Sequence, residues 1–579
     1  MPNMIQNAKD SISQILNAAY QKAAEKGELP AGAAFSGTVE IPKYSANGDF
    51  AANHAMAGAK ALHMAPRKIA ETLIANADLA DTWFASVEVA GPGFINFRLA
   101  DRWYADVLQA VTREGADYGR SDIGHGQKVM VEFVSANPTG PMHMGNARGG
   151  VLGDALASVL DRAGYQVWRE FYVNDAGNQI EKFANSIDAR YQQLLLGEEQ
   201  VAFPEDGYHG DDIKDLAKLF YAANGDKYLT VPVAERHQAM AEFGLQRNIP
   251  KMQEDLRRYG IEYDQWFFES ELHESGYVAE SVQKLTDRGY TYEKDGALWL
   301  KTSQILAEQL LKAGKKQEEI DKLELKDDVL RRANGFYTYF AADIAYHRNK
   351  LEKRGFDKVI NVWGADHHGH VARLKGAMDA LGLDGEHRLD IVLMQLVKLT
   401  RNGEVVRMSK RTGKAISLTD LLDEIPVDAA RYFFNSRPES PVEFDLELAI
   451  RQDSENPVYY VQYAHARICT LLSALAAEGH TVPASADAAL LSTPEEKELI
   501  KQLAALPEEI RLAARDYDPS RINRYVTELA ARFHRFYTVC RIKGAESDVQ
   551  AARLLLADCV RRVIAVSLGI IGVTAPEKM

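Results

Sequence analysis

The most informative stretch is Lys128-Val129-Met130-Val131-Glu132-Phe133-Val134, a short apolar run typical of a strand buried in a parallel sheet. A loop rich in proline and glycine, 137–145, follows it, and a helical apolar pattern then runs from Leu152 to Leu160. A second strand is predicted over Gln166–Val173. Strand, helix and strand in fewer than 50 residues form one βαβ unit, whose crossover is right-handed in nearly every known case.

The segments on either side of this unit have different patterns. Residues 1–120 predict a small α+β domain, because a helical pattern over 10–26 is followed by two alternating strands around the turn Gly91-Pro92-Gly93. From residue 418 onward nearly every segment has helical period, so residues 418–579 predict an all-α domain. Between them, residues 121–417 predict an α/β domain built on a parallel sheet.

The α/β domain is interrupted in its middle. Residues 197–330 are mostly helical in pattern and charged, and we interpret them as a helical insertion. Strand patterns return at 338–344, 358–363 and 389–399. The dipeptide Asn402-Gly403 then predicts a tight hairpin turn.

The composition is that of an ordinary globular protein. Of 579 residues, 46% are hydrophobic and 26% are charged, and three widely spaced cysteines exclude a disulfide scaffold. No run of apolar residues is long enough to span a membrane, and the first residues lack the regions of a secretory signal. We therefore expect a cytoplasmic protein that does not engage a membrane.

The loop after the first strand has the features of a phosphate-binding site. Ligands of open α/β sheets bind beyond the carboxyl ends of the strands, where a helix N-terminus offers unpaired N–H groups. His143 and Asn146 are three residues apart, so on the first helical turn they share a face and can donate to one phosphate group. Gly145 leaves room for a nucleotide base. The alternative is a turn with a capping asparagine and a solvated histidine.

A second loop carries a cluster of cations, Arg407-Met408-Ser409-Lys410-Arg411-Thr412-Gly413-Lys414. Four cations in eight residues predict a mobile loop that closes over a triphosphate and stabilises charge as pyrophosphate leaves. The alternative is a solvated basic loop without a ligand.

Together the two loops resemble the signatures of the class I aminoacyl-tRNA synthetases. His143-Met144-Gly145-Asn146 is similar to the family's His-Ile-Gly-His, and Arg407-Met408-Ser409-Lys410-Arg411 is similar to its Lys-Met-Ser-Lys-Ser. The resemblance implies a Rossmann-like catalytic domain in which ATP is bound by His143, Gly145, Asn146, Met408, Ser409 and Lys410. It also implies catalytic roles for His143, Asn146, Lys410 and Arg407, although Asn146, Arg407 and Arg411 depart from the family's residues.

Within that class the chain resembles the arginyl-tRNA synthetases over nearly its whole length. The segments that carry the resemblance are 132–138, the motif Tyr339-Phe340-Ala341-Ala342-Asp343, and an acidic stretch with Asp264 and Glu269. The resemblance implies that arginine is held by Glu132, Ser135, Asn137, Tyr339, Asp343 and His367. A guanidinium requires carboxylates in bidentate geometry, and Asp343 at the end of a strand meets that requirement. The alternative for Glu132 and Asp343 is a structural salt bridge inside the sheet.

The implied reaction is the ATP-dependent ligation of L-arginine to its tRNA through an arginyl-adenylate. We expect Mg²⁺ to arrive with ATP, and no protein-bound metal, because the cluster His367, His368 and His370 has no further ligands at metal spacing. We also expect a monomer. The rival interpretations are a class I synthetase for another amino acid, such as cysteine or glutamate, and a non-catalytic RNA-binding paralogue.

Both ends of the chain resemble tRNA-binding parts of the same family. Phe94 and Asn96 are expected to stack on and read an unpaired base, unless Phe94 and Phe97 share a buried strand face. Asp428-Ala429-Ala430-Arg431 resembles the start of the anticodon-binding region, and we expect Arg431 in a helix-surface salt bridge. The candidates for contact with the anticodon, or for a packed aromatic helix face, are Tyr459, Tyr460, Tyr463, His465 and Arg467.

The net charge of −14 argues against a nucleic-acid partner only if the charge is evenly spread. Residues 521–562 hold nine cations against four acids, a local charge of +5 that leaves −19 for the remainder. We expect these helices to bind phosphates, and tRNA affinity to fall steeply as salt is added.

Overall fold

The computed structural model describes residues 3–33, 35–395, 397–406, 416–436 and 442–579. The N-terminal part is an antiparallel sheet with helices around it. Its strands are β1 (Val39–Glu40), β2 (Phe50–Ala52), β3 (Phe84–Ala90) and β4 (Phe94–Leu99), in the order β1-β2-β4-β3. Its helices are α1 (Met4–Glu25), α2 (His54–Leu62), α3 (Pro66–Asn76) and α4 (Asp101–Glu114). The two strands predicted around Gly91-Pro92-Gly93 are confirmed as β3 and β4.

The central part is built on a five-stranded parallel sheet. Its strands are β5 (Lys128–Glu132), β6 (Gln166–Val173), β7 (Gln265–Phe268), β11 (Lys358–Gly364) and β12 (Leu389–Met394), in the order β12-β11-β5-β6-β7. A smaller antiparallel sheet holds β8 (Thr291–Lys294), β9 (Ala297–Leu300) and β10 (Asp328–Arg331). The helices of this part are α5 (Met144–Arg162), α6 (Asn178–Leu196), α7 (Asp211–Asn224), α8 (Val233–Arg258), α9 (Glu269–Glu274), α10 (Tyr277–Asp287), α11 (Thr302–Lys312), α12 (Gln317–Ile320), α13 (Tyr339–Arg348), α14 (His368–Ala380) and α15 (Gly385–Arg388).

A third small sheet leads into the C-terminal helices. It consists of β13 (Val397–Arg401), β14 (Glu404–Val405) and β15 (Val442–Asp445). The helices are α16 (Leu418–Glu424), α17 (Val427–Asn435), α18 (Leu446–Ile450), α19 (Pro457–Ala477), α20 (Pro494–Asp516), α21 (Ser520–Val539) and α22 (Ser547–Ile570). The predicted fold class is confirmed: a small α+β part, a parallel α/β part and a helical part follow one another along the chain.

The predicted βαβ unit is also confirmed. Strand β5 lies in the middle of the large sheet, between β11 and β6, and α5 connects it to its parallel neighbour β6. Because β5 is central, the loop after it opens at the middle of the sheet's carboxyl edge, where ligands of such sheets bind.

Two predicted strands are wrong in detail. Residues 338–344 are not a strand: helix α13 begins at Tyr339, and the hydroxyl of its N-cap Thr338 accepts from the N–H of Ala341 at 3.4 Å. This helix is buried on most of its sides, so its apolar residues show no helical period and resemble a buried strand. Residues 389–399 are two strands in different sheets, β12 and β13, rather than one.

The stretch 197–330 is mostly helical, as expected, with six α-helices, but it also holds four strands. It contains β7, the edge strand of the large sheet, and all three strands of the sheet β10-β9-β8. The hairpin at Asn402-Gly403 is confirmed, with φ of 51° and 82° at its two residues and antiparallel pairing of β13 with β14.

The three parts pack into one molecule. Tyr118 donates to the carbonyl oxygen of Leu503 on α20 at 3.0 Å, and Lys497 of the same helix pairs with Asp101 at 3.2 Å. The N-terminal part therefore lies against the C-terminal helices, and a continuous apolar core runs through all three parts.

Candidate active site

His143 and Asn146 cap the helix that starts at the sheet's carboxyl edge. His143 is the N-cap of α5, and its backbone N–H donates to Asn146 Oδ1 at 3.0 Å. The ring nitrogen Nδ1 of His143 accepts from the N–H of Gly145 at 3.2 Å. The loop thus has the capping geometry of a helix start, with both side chains at the positive end of the helix dipole.

These hydrogen bonds determine which groups remain as donors. Partial desolvation lowers the pKa of His143 below its usual value, so the ring is neutral at pH 7. Since Nδ1 accepts, the proton lies on Nε2, and since Asn146 Oδ1 accepts, its amide nitrogen is the donor. Two neutral donors and a helix N-terminus therefore converge on one region, as anion binding requires.

The segment that follows the basic loop, at Ser417 and Leu418, lies beside His143. Ser417 forms an isolated antiparallel bridge with His143, and the N–H of Leu418 donates to the carbonyl oxygen of Met142 at 2.8 Å. Arg407, Met408, Ser409 and Lys410 themselves lie outside the described residues. The residues that follow them in the chain, Ser417 and Leu418, nevertheless contact the first signature at His143 and Met142.

Glu132 is the last residue of β5 and is buried beneath the site. Its Oε2 lies 2.5 Å from Nζ of Lys350, which is fully buried, and its Oε1 accepts from the Ser135 hydroxyl at 2.8 Å. A salt bridge inside the sheet, the alternative raised for Glu132, is therefore present. The backbone just after β5 is strained, because Val134 and Ser135 have φ of 72° and 44°. Asn137, two residues further on, is exposed.

Asp343 and Tyr339 lie one turn apart on α13, not at the end of a strand. Tyr339 is 43% exposed, and its ring lies against the backbone of Gly177 at the start of α6. Asp343 Oδ2 accepts from Nε2 of His370 at 3.0 Å. Helical spacing, rather than strand geometry, brings the two candidate arginine ligands to the same face.

The remaining candidates for substrate contact lie around these residues. His367 is exposed, with its ring 6.0 Å from that of Trp363. Glu269 is buried and accepts from the Tyr172 hydroxyl at 2.8 Å, whereas Asp264 accepts from the backbone N–H of Arg169 and joins β6 to β7. Asp264 is thus part of the sheet's framework.

The residues proposed to read tRNA at the N-terminal sheet are placed differently from expectation. Asn96 is only 3% exposed, because β4 lies between β2 and β3 in the sheet, so the expectation that it is exposed is wrong. Phe94 is half-buried and Phe97 is fully buried. The expectation that both rings share one face is also wrong, because residues three apart in a strand point to opposite faces.

The aromatic residues of α19 divide into two groups. Tyr459 and Tyr463 stack at 6.1 Å and are accessible, and Arg467 lies over the ring of Tyr537 at 4.1 Å. His465 is buried and contacts the carbonyl oxygen of Pro576 at 2.9 Å, so it holds the C-terminal segment instead of facing a base.

The surroundings of the basic residues in the C-terminal part differ from those expected. Arg431 is fully buried rather than in a surface salt bridge, and it lies 2.5 Å from Asp154 of α5. In the stretch 521–562 most cations pair with acids, and several of those acids lie outside the stretch. The paired cations are Arg521, Arg524, Arg532, Lys543, Arg553, Arg561 and Arg562. The local charge of +5 is therefore largely neutralised in three dimensions.

Sequence reasoning missed Lys350 and Arg373 as partners of the site. Lys350 lies in a π-helical turn, Asn349–Lys353, and no local motif marks it. His370 and Arg373 stand three apart on α14, a spacing that predicts contact on a helix and could have identified them as a pair.

Within the described ranges, no group of three or more His, Cys, Asp or Glu side chains could hold a metal ion. Among the same residues, no helix has the length and apolarity needed to cross a bilayer.

Comparison with known proteins covers the whole chain. Residues 6–99 match the arginyl tRNA synthetase N terminal domain, residues 107–442 the class I (R) tRNA synthetase catalytic domain, and residues 461–579 the DALR anticodon binding domain. The arginine–tRNA ligases of Acetivibrio thermocellus and Caldanaerobacter subterraneus subsp. tengcongensis are 52% and 54% identical, each over 100% of both chains.

A solved structure has the same fold. The arginyl-tRNA synthetase of Thermus thermophilus matches 99% of this chain and 100% of its own, with a TM-score of 0.73 at 21% identity. With matching domain models along the chain and full-length relatives above 50% identity, the chain belongs to the arginyl-tRNA synthetase family.

Proposed function

We propose how this site carries out the reaction of its family, the ATP-dependent ligation of L-arginine to its tRNA in protein synthesis. The observation that carries the proposal is the pairing of Ser417 with His143, which brings the end of the basic loop to the first signature. This pairing supports a shared role for the two loops on one nucleotide.

In the first step, the carboxylate of arginine attacks the α-phosphate of ATP in line, which forms arginyl-adenylate and releases pyrophosphate. His143 and Asn146 donate to the phosphates from the helix N-terminus. Lys410, with Arg407 and Arg411, stabilises the charge on the leaving pyrophosphate, and Gly145, Met408 and Ser409 lie along the nucleotide. Positioning and charge stabilisation suffice, so no covalent enzyme intermediate forms.

In the second step, a hydroxyl of the terminal ribose of tRNA attacks the mixed anhydride and releases AMP. Phe94, Tyr459 and Arg467 contact tRNA outside the catalytic centre; each is accessible at least in part. Asn96 contributes only if the N-terminal sheet rearranges, since it is buried. Mg²⁺ enters with ATP as part of the substrate, and the protein acts as a monomer in the cytoplasm.

The arginine side chain lies between β5 and α13 in this proposal. Glu132, Ser135 and Asn137 approach from the end of β5, Tyr339 and Asp343 from α13, and His367 from the start of α14. Carboxylates on two sides of the pocket suit a guanidinium, which presents five donors in a rigid plane.

Amino-acid-dependent pyrophosphate exchange, measured with each of the twenty amino acids in the presence of total tRNA, tests the proposal. We expect exchange with arginine alone, and a loss of about 100-fold or more in Lys410→Ala, because that variant lacks the cation on the leaving group. Lys315→Ala, at an exposed lysine outside both signature loops, is the control and should retain exchange.

Three outcomes contradict the proposal. Exchange with cysteine or glutamate indicates another specificity, and exchange with no amino acid supports the non-catalytic paralogue. Near-normal exchange in Lys410→Ala removes the role given to that residue.

A further inference from the structure

Asp343 stands at the end of a chain of hydrogen bonds that leads away from the site. His370 Nε2 lies 3.0 Å from Asp343 Oδ2, and His370 Nδ1 lies 3.2 Å from a terminal nitrogen of Arg373. Arg373 in turn donates to Asp328 Oδ1 at 2.6 Å, and Asp328 Oδ2 accepts from the Thr302 hydroxyl at 2.9 Å. The chain joins α13, α14, β10 and α11.

The chemistry of Arg373 determines the protonation state of His370. A guanidinium has donors and no acceptor, so Nδ1 of His370 has to accept and carries no proton. The proton is therefore on Nε2, which donates it to Asp343. With Nδ1 accepting from Arg373 and Nε2 donating to Asp343, the hydrogen bonds are those of the Nε2–H tautomer.

The ring is also held in place by packing. Phe340 of α13 lies edge-on to the His370 ring at 5.2 Å, and Trp363 of β11 lies 5.7 Å away on another side. A further titratable group that interacts with His370 is His347 of α13, which is buried with a pKa far below its usual value and is therefore neutral. Among the described side chains, the charged groups bonded to His370 directly are Asp343 and Arg373, with Asp328 behind Arg373.

We propose that His370 and Arg373 are positioning residues that determine specificity for a cationic side chain, by keeping Asp343 fully charged and directing its second oxygen to the substrate. This proposal rests on the proposed role of Asp343 as a ligand of the arginine guanidinium. Oδ1 of Asp343 accepts no hydrogen bond from the described parts of the chain, which leaves that oxygen for the substrate.

The physical reason is that His370 and the substrate guanidinium would compete for the carboxylate of Asp343. An imidazolium at position 370 would form an ion pair with Asp343 and neutralise the charge that the substrate guanidinium needs. Arg373 prevents this competition, because its own charge disfavours a proton on Nδ1. The alternation of Asp328, Arg373, neutral His370 and Asp343 therefore leaves one net negative group facing the pocket.

The experiment measures KM for arginine and for ATP, with kcat, by pyrophosphate exchange in the full-length enzyme with its tRNA, between about pH 6 and pH 8. In Arg373→Leu, Nδ1 of His370 loses the donor that faces it and can accept a proton, and we expect KM for arginine to rise about tenfold across that range on acidification. KM for ATP should show no such rise, and the wild type should lack the arginine effect.

Matched variants identify the source of the effect. His370→Gln places an amide donor near the position of Nε2 and cannot titrate, so the double variant Arg373→Leu/His370→Gln should lose the pH dependence of KM for arginine. Lys375→Leu, on the same helix and outside the chain of hydrogen bonds, should match the wild type.

The possible failures are distinguishable. If Asp343→Asn leaves KM for arginine unchanged, Asp343 is not the ligand and both proposals about it are overturned. If Asp343→Asn raises KM for arginine but Arg373→Leu keeps the wild-type pH profile, only the positioning role is overturned. Persistence of the pH dependence in the double variant overturns it as well.

Discussion

At the scale of single residues, Lys350 is the group on which the position of Glu132 depends. Its ammonium is fully buried, 2.5 Å from Glu132 Oε2 and 3.3 Å from Asn361 Oδ1. Burial lowers the pKa of Lys350 below its usual value, while the charge of Glu132 opposes that shift. Because both groups are shielded from water, each charge needs the other to offset the free-energy cost of its burial.

Replacing Lys350 by methionine leaves Glu132 buried without its cation, and we expect the free energy of unfolding to fall by about 3–5 kcal/mol. Urea denaturation of the full chain measures this loss. The double variant Lys350→Met/Glu132→Gln should recover part of it, because no unpaired charge remains. Lys182→Met, which removes an exposed pair with Asp206, is the control and should change little. Equal stability of Lys350→Met and that control would contradict the prediction.

At the scale of secondary-structure elements, Gly153 sets the distance between α5 and the end of β5. A Cβ added at Gly153 would lie 2.1 Å from Cγ of Phe133, which is closer than atoms can approach. Gly153 lies in the middle of α5, whose N-terminal end carries His143 and Asn146. The contact at Gly153 therefore fixes the position of that N-terminal end relative to the sheet.

Gly153→Ala tests this close approach. In an open helix the change stabilises by about 1 kcal/mol, since alanine has the higher helix propensity. Here we expect the clash with Phe133 to reverse the sign and destabilise the protein by about 1–3 kcal/mol, measured from the thermal unfolding midpoint. Gly569→Ala on α22, where a new Cβ meets no atom within 4 Å, is the matched control and should not destabilise. A stabilised Gly153→Ala variant would show that α5 moves away freely.

At the scale of the whole molecule, Arg431 ties the helical part to the catalytic sheet. Its buried guanidinium donates to Asp154 of α5, to the carbonyl oxygens of Tyr259 and Gly260, and to that of Ile571 near the C-terminus. Asp154 also accepts from Arg169 of β6 at 3.1 Å. One side chain thus connects α17, α5 and the end of α22.

We expect Arg431→Met to lower the free energy of unfolding by about 3 kcal/mol, because three carbonyl groups and Asp154 lose a buried partner. Differential scanning calorimetry of the full chain measures the loss. Arg524→Met, which removes an exposed guanidinium that bonds Asp518 and the Ser520 hydroxyl within its own part of the molecule, is the control. If both variants unfold at the same temperature, Arg431 does not join the parts.

Much of the fold, and the capped helix start at His143, could be predicted because the signals are local. The hairpin at Asn402-Gly403, the strands around Gly91-Pro92-Gly93 and the βαβ unit each depend on residues close together in the chain. The sequence of helix α13 predicts a strand, because a buried helix has no polar, solvent-facing side that would give its apolar residues a helical period.

The local sequence specified the family and the order of most elements, since turn chemistry and motif spacing act within a few residues. Only the tertiary structure determined which buried charges pair. His370 lies 27 residues from Asp343, Lys350 lies 218 residues from Glu132, and Arg431 lies 277 residues from Asp154. No local pattern links such partners, because the burial that makes each pair necessary arises only when the sheet, its helices and the C-terminal part are packed together.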